Sequence, residues 1–416
     1  MNVPAKIDHE AIAASLPLKD FDVANSAFFQ QGVWMPYFSR LRREDPVHFC
    51  PESRFGPYWS VTKYKDIMAV GTNHKVYSSD IEHGGIHVGN KAPEFRRRSM
   101  ITSDPPKHDE QRKVVQPIVS ASNLANAAAL IRERTCRVLD GLPRNETFNW
   151  VDRVSIELTT QMLATLFDFP FEDRRKLTHW SDLSFLDLMA GTPIDTEAKR
   201  MAALQECLDY FTVLWNERAA APPRPDLISM LAHGEATRNF TPHEFLGNLM
   251  TLIVGGNETT RNSMSGSVLF LSQNPEQDRK LRANPSLIES MVSEVIRYQT
   301  PILAFRRTAL EQTELNGKTI NKGDKVVMWY ISGNRDSDVI ERPDDFIIDR
   351  ERPRQHIAFG FGIHRCVGNR LAELQLKILW EEILNRSLKF EVMGPPKRVF
   401  SVFVHGISEL PVRIVA

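Results

Sequence analysis

The sequence predicts a mostly α-helical fold with a smaller β-rich lobe (α+β), on three observations. Apolar residues recur at helical spacing over most of the chain. Hairpin signals are few: Asn316 with Gly317 and Lys322 with Gly323, followed by the strand-like run VVMWYIS. No run of about 18 apolar residues appears, so no helix is predicted to span a membrane. At 416 residues with 42% hydrophobic content the chain can bury a large core. The most linker-like stretch, AAAPPRPD from Ala219 to Asp226, is long enough only for a loop between helices, so residues 1–416 are expected to form one unit.

Composition excludes several classes of function. A formal net charge of zero gives no general attraction to nucleic acid or to an anionic membrane. The amino terminus lacks the basic-then-apolar order of a signal peptide, so a soluble cytoplasmic protein without a membrane anchor is expected. Cys50, Cys136, Cys207 and Cys366 are scattered and form no CxxC pair, which argues against a zinc site, a disulfide framework or an iron–sulfur cluster within the chain.

Taken in chain order, the first element of interest is DPPKHDEQR, where a helix starts after Asp104, Pro105 and Pro106 and carries His108 and Arg112 one turn apart. In isolation such a pair reads as a surface feature. Next comes TLIVGGNETTRNSMSGSVLFL, a helical run with Gly255 and Gly256 in its middle, where each glycine costs about 1 kcal/mol relative to alanine. Two readings account for that cost. Either helices pack closely through the glycines and Glu258 is solvated, or a ligand lies against the helix and Glu258 with Thr259 forms an acid–alcohol proton relay. The helix SLIESMVSEVIRY then places Glu294 and Arg297 three residues apart on one face, and its apolar neighbours predict a buried ion pair.

The richest segment is FGFGIHRCVG, Phe359 to Gly368, followed by VGNRLAELQLKILWEEIL with Leu371, Leu374, Ile378, Leu379 and Ile383 at helical spacing. Cys366 stands where that helix begins. A thiolate needs its pKa lowered, and a helix amino terminus supplies unpaired N–H groups and a positive dipole end. Gly360, Gly362 and Gly368 permit tight turns and the close approach of a flat group, and Phe359 can shield the sulfur.

With Phe359, Gly362, Cys366 and Gly368 at every fixed position, this segment resembles the haem-binding loop of the cytochrome P450 family. The resemblance extends over essentially the whole chain: Gly255, Gly256, Glu258 and Thr259 match the family's central-helix motif, and Glu294 with Arg297 match its Glu-x-x-Arg motif. It implies a triangular helical prism around a buried haem b with Cys366 as the axial thiolate ligand. It further implies propionate contacts from His108, Arg112, Arg307 and His364, with Arg306 competing for the place of Arg307. Thr259 and Glu258 are then expected to serve proton delivery during oxygen activation. The family's second arginine is missing from RPDDF, where Asp345 stands, and either another residue such as Arg342 or Arg335 takes its place or the network is closed differently.

The implied reaction inserts one atom of O2 into a hydrophobic substrate. Electrons are expected from a separate ferredoxin and ferredoxin reductase, with Arg365, Arg370, Lys377 and Lys113 as part of the docking surface. The wording GGNETTRNSM with FGFGIHRCVGNRLAE is most similar to the soluble bacterial branch that hydroxylates medium-chain alkanes and fatty acids at the terminal carbon. The expected pocket residues are Ile86, Val88, Leu186, Leu252, Leu303, Phe305, Val402 and Phe403. Hydroxylation of a terpene, steroid or aromatic compound is the enzymatic alternative, and a haem-thiolate sensor or haem carrier the non-enzymatic one.

Overall fold

The computed structural model describes residues 7–185, 187–188 and 192–415. Its axis is the helix Pro242–Gln273. A capping box starts it: Glu244 N–H donates to Thr241 Oγ1 at 3.2 Å, and Thr241 N–H donates to the Glu244 carboxylate at 3.1 Å. Buried side chains from Phe245 to Leu271 occupy most of its circumference, as a helix enclosed on all sides requires. Around it pack Glu157–Phe167, Arg175–Phe185, Glu197–Ala220, Ile288–Gln299 and Asn369–Asn385. The last of these buries Leu371, Ile378, Leu379 and Ile383 of the stripe read from the sequence, with Leu374 half-buried beside them. The loop expected at Ala219–Asp226 begins at Ala221, since the preceding helix runs to Ala220, and Asp226 caps the next helix by accepting from Ser229 N–H at 2.8 Å.

The smaller lobe holds a five-stranded sheet in the order Val47–Cys50, Tyr58–Val61, Lys325–Trp329, Ala304–Ala309, Tyr77–Ser78, antiparallel except for the second pairing. Asn316 and Gly317, both at positive φ, turn the predicted hairpin Thr313–Leu315 with Lys318–Ile320. The strand-like run after Gly323 is shorter than expected. It ends at Trp329, and Tyr330–Gly333 makes a helical turn. That turn delivers Asn334, whose carboxamide donates to Thr300 Oγ1 at 2.9 Å and accepts from Ile357 N–H at 2.8 Å. The sheet lobe is thereby tied to the segment leading into the cysteine loop.

Candidate active site

Between the central helix, the cysteine loop and the sheet lies a mostly apolar cavity of about 320 Å³. The loop closes on itself through Cys366 N–H to Phe359 O at 2.9 Å and Arg365 N–H to Gly362 O at 3.1 Å. Gly362 has φ +73°, and a Cβ there would lie 2.1 Å from Gly71 O, so both backbone conformation and a close helix approach demand glycine. The Phe359 ring packs tilted against His356, centroids 5.5 Å apart, and, with Cys366 and Gly368, borders the cavity.

The Cys366 sulfur is open to the cavity yet deep in the protein. Burial pushes the thiol up. The N–H groups of Gly368 and Asn369 and the charges of Arg112 and Arg365 pull the other way.

Across the cavity the two glycines do different work. Gly256 faces Leu163, whose Cδ2 would lie 2.6 Å from an added Cβ, whereas a Cβ at Gly255 would meet nothing and project into open space. The glycines divide the two readings: Gly256 serves helix–helix packing and Gly255 leaves backbone open to a ligand, while Glu258 is buried rather than solvated. Thr259 lines the cavity and donates to Gly255 O at 2.9 Å. Glu258 does not line it. Its fully buried carboxylate accepts from Ser181 at 3.0 Å and from Asn257 at 3.1 Å, and it pairs with Arg261, which also binds Asp182 at 3.0 Å. Burial raises the Glu258 carboxyl above the usual range, opposed by Arg261.

Cations gather on one side of the loop. His108 is buried, its Nδ1 2.8 Å from the Asp109 carboxylate, and its Nε2 has no partner. The His108 and His364 rings lie 4.3 Å apart, and Arg112 donates to Arg365 O at 2.7 Å. Arg307 is buried and donates to Arg306 O at 2.8 Å. Arg306, the competing arginine, is committed to Asn90, His83 O and Thr308. Burial lowers His364 well below its ordinary value, and the charges of Arg307, His108 and Arg112 push in the same direction. The nearby acid Asp104 is occupied by Ser78 and Ser79. An orphaned imidazole nitrogen among unpaired cations, a sulfur open to the cavity and bare backbone at Gly255 together fit the propionates, iron and face of a haem.

Glu294 and Arg297 form the predicted buried pair, joined at 2.7 and 2.8 Å. The third member is neither Arg342 nor Arg335. Arg350 donates from Nε to Glu294 at 2.9 Å, while Arg342 pairs with Asp345 at the surface and Arg335 donates to Tyr298 O at 2.9 Å. The fold carries the chain past Asp345 and back, so the partner lies five residues beyond the expected position.

Of the pocket residues expected from sequence, Ile86, Leu252, Phe305 and Phe403 line the cavity. Val88, Leu303 and Val402 do not. They pack with Phe29, Phe38 and Trp329 in the core beneath the sheet, where burial among these aromatic rings takes the place of a cavity-facing position. Leu186 lies outside the described residues. Missed by sequence reasoning were Arg350 and the cavity-lining Lys91 and Arg97. The basic run FRRR from Phe95 was the available signal for the last of these.

One cysteine sulfur open to a cavity, opposite a glycine-broken helix bearing a threonine and flanked by buried cations, is the site of a haem-thiolate protein. The chain belongs to the cytochrome P450 family, whose model matches residues 47–402, and is a P450 monooxygenase. It is similar to CYP153D17 from Sphingomonas sp. PAMC 26605, with 47% identity, a TM-score of 0.91, and 96% of this chain and 100% of that one covered. It is 36% identical to the linalool 8-monooxygenase of Pseudomonas putida, over 95% of this chain and 98% of that protein. It is 30% identical to the methyl-branched lipid omega-hydroxylase of Mycobacterium bovis, over 95% of each. Among the described residues no single helix is long and apolar enough to cross a membrane.

Proposed function

We propose that this P450 hydroxylates the terminal carbon of a medium-chain alkane or fatty acid. The observation that carries the reading is the cavity wall facing Cys366: Leu252, Val254, Ile302, Phe305 and Phe403 with the bare backbone of Gly255. A hydrocarbon chain end offers no polar handle, so shape alone can select its carbon. The terminal C–H bond is stronger than its neighbours, and these side chains must hold the neighbouring methylenes away while presenting the methyl group. Similarity to an omega-hydroxylase supports the same choice of carbon. A second reading, a terpene in the same cavity, is supported by the similarity to the linalool enzyme.

Haem b, when bound, supplies activation of O2 and insertion of one oxygen atom into the C–H bond. Cys366 would hold the iron, and His108, Arg112, Arg307 and His364 would hold the propionates. The Thr259 hydroxyl, steered by its bond to Gly255 O, handles protons at the cavity face. Glu258 serves that hydroxyl from behind and must exchange its bond with Arg261 before it can pass a proton. Electrons come from a ferredoxin and its reductase in the cytoplasm. Their docking surface includes exposed Arg365, Arg370 and Lys113, with Lys377 recruited from its 2.6 Å pair with Glu289. Charge reversal at these sites should slow reduction and flatten its salt dependence; an unchanged rate and salt slope would sink the docking surface.

The test of substrate class is an optical titration of the ferric protein with linear alkanes and fatty acids beside terpenes and steroids, followed by product analysis. Saturable spectral change by linear chains and a terminal alcohol product are expected. Change by ring compounds alone, or oxidation at internal carbons, overturns the reading.

A further inference from the structure

His87, Lys91 and Arg97 share one wall of the cavity, beside the first turn of the helix Glu197–Ala220. Arg97 Nη1 is buried without a hydrogen-bond partner, and among the described residues no carboxylate pairs with its guanidinium. The Lys91 ammonium has Glu197 Oε2 at 3.8 Å, too long for a hydrogen bond. The other oxygen of that carboxylate is taken by Arg200 at 2.9 Å. Three cations thus face one acid on a wall that is otherwise apolar. None of the residues outside the described set, 1–6, 186, 189–191 and 416, carries an acidic side chain, so the missing anion is not a side chain of this protein.

This charge does not serve the haem propionates. Lys91, Arg97, Arg200 and Arg306 are the cations that act on His87, whereas Arg307, His108, Arg112 and His74 act on His364, and the two groups share no member. Burial pushes the Lys91 ammonium down to about 8 and lowers Arg97 as well, and Glu197, the one acid that acts on both, opposes this only in part. His87, driven down to about 3 by burial and by these charges, stays neutral and is free to donate or accept one hydrogen bond.

We propose that Lys91 and Arg97 form a carboxylate subsite, so that the substrate is a linear carboxylic acid held by its acid end with its hydrocarbon running along the apolar wall to Cys366. A guanidinium and an ammonium on one cavity wall match the two oxygens of a carboxylate. The inference rests on the linear-chain reading above and narrows it. Anchoring the far end also sets register: the carbon presented at the thiolate is counted from the carboxylate, so chain length selects the position oxidised.

The test uses the haem-loaded full-length protein and three ligands of one length: dodecanoic acid, its methyl ester and dodecane. Optical titrations are run on wild type, Arg97→Gln, Lys91→Gln and the double variant. Loss of a charge-assisted contact should raise the Kd of the acid about ten-fold or more in the double variant, while ester and alkane change by less than about two-fold. Because Arg97 Nη1 is buried without a hydrogen-bond partner, Arg97→Gln should keep or raise the melting temperature. A purely structural arginine would lower it. Arg97→Lys should restore part of the acid preference. Equal weakening of acid and ester, or unchanged acid binding, overturns the subsite. Binding of dodecane but not of the acid by wild type overturns the subsite and leaves the linear-chain reading standing. No response to any linear ligand overturns both.

Discussion

Replacing Arg350 by methionine removes the third member of the Glu294–Arg297 network, and the structure sets the size of the loss. Arg350 Nε donates to a fully buried carboxylate oxygen at 2.9 Å, a charge-assisted bond worth about 1.5–3 kcal/mol. Its terminal nitrogens donate to the carbonyls of Glu341, Arg342 and Asp345, on the exposed side, where water can substitute. In the variant Glu294 keeps both bonds from Arg297 and the 2.8 Å bond from Ile347 N–H, so the cost stays near ~2 kcal/mol. Glu294→Gln strips the counter-ion from Arg297, which is 1% exposed, and should cost about 3–5 kcal/mol. In the Glu294→Gln background the Arg350 change has less to lose, giving a coupling of about 1 kcal/mol or more.

At about 2.1 cal/mol/K per residue, 416 residues give an unfolding entropy near ~0.9 kcal/mol/K, so each kcal/mol moves Tm by ~1 °C. Melting of the haem-loaded proteins, followed by haem absorbance and far-UV circular dichroism, should place Arg350→Met about 2 °C and Glu294→Gln about 3–6 °C below wild type. Haem should also dissociate faster from both, because Arg297 anchors Asn334 O at 2.8 Å and Asn334 holds Ile357 on the way to the cysteine loop. An Arg350 variant that melts with wild type, or loses the same amount in both backgrounds, would refute membership of the network.

Thr259→Ala should leave haem binding intact but cut product formed per electron consumed by about ten-fold or more, with Thr259→Ser recovering much of it; a stoichiometric assay of electrons, peroxide and product decides. His108→Phe should lower haem affinity while costing the haem-free protein only the Nδ1 bond to Asp109, about 1 kcal/mol, since its Nε2 has no partner there; a haem-exchange assay beside an apo melt checks both. The adjacent glycines should respond oppositely. Gly255→Ala should gain up to about 1 kcal/mol of helix stability in apo protein while impairing haem or substrate binding, and Gly256→Ala should lose about 1–3 kcal/mol against Leu163. Apo melts of the two variants separate them.

What was legible in the sequence was what local spacing encodes. Cys366 with its glycines, the Glu294–Arg297 pair and the stripe of the following helix each lie within one turn or one loop, so backbone geometry alone brings their side chains together. Arg350 was not legible for the opposite reason: it returns to Glu294 across 56 residues through an irregular segment with no periodicity to read. The pocket residues failed at the level of facing. Ile302 and Phe305 line the cavity, whereas Leu303 and Ala304 between them join the core, a choice set by where the strand Ala304–Ala309 begins. Nor could Glu258 be placed from its own helix. Its direction is set by Ser181 and Asp182 on another element, which with Arg261 make a buried polar cluster.

The two cation groups of the cavity follow one physical rule and are told apart by position. A buried charge costs several kcal/mol unless an opposite charge meets it, so a fold that keeps unpaired cations on a cavity wall is stabilised by whatever anion fills it. Beside the cysteine loop, His108, Arg112, Arg307 and His364 lie where the propionates of a haem held by Cys366 would reach. Lys91 and Arg97 lie on a wall backed by the helix Glu197–Ala220, with one shared acid between them and Arg200. The first group would be neutralised for as long as haem is bound. The second would be neutralised only while substrate is bound, and so converts the cost of burying charge into preference for an acid over a hydrocarbon of equal length.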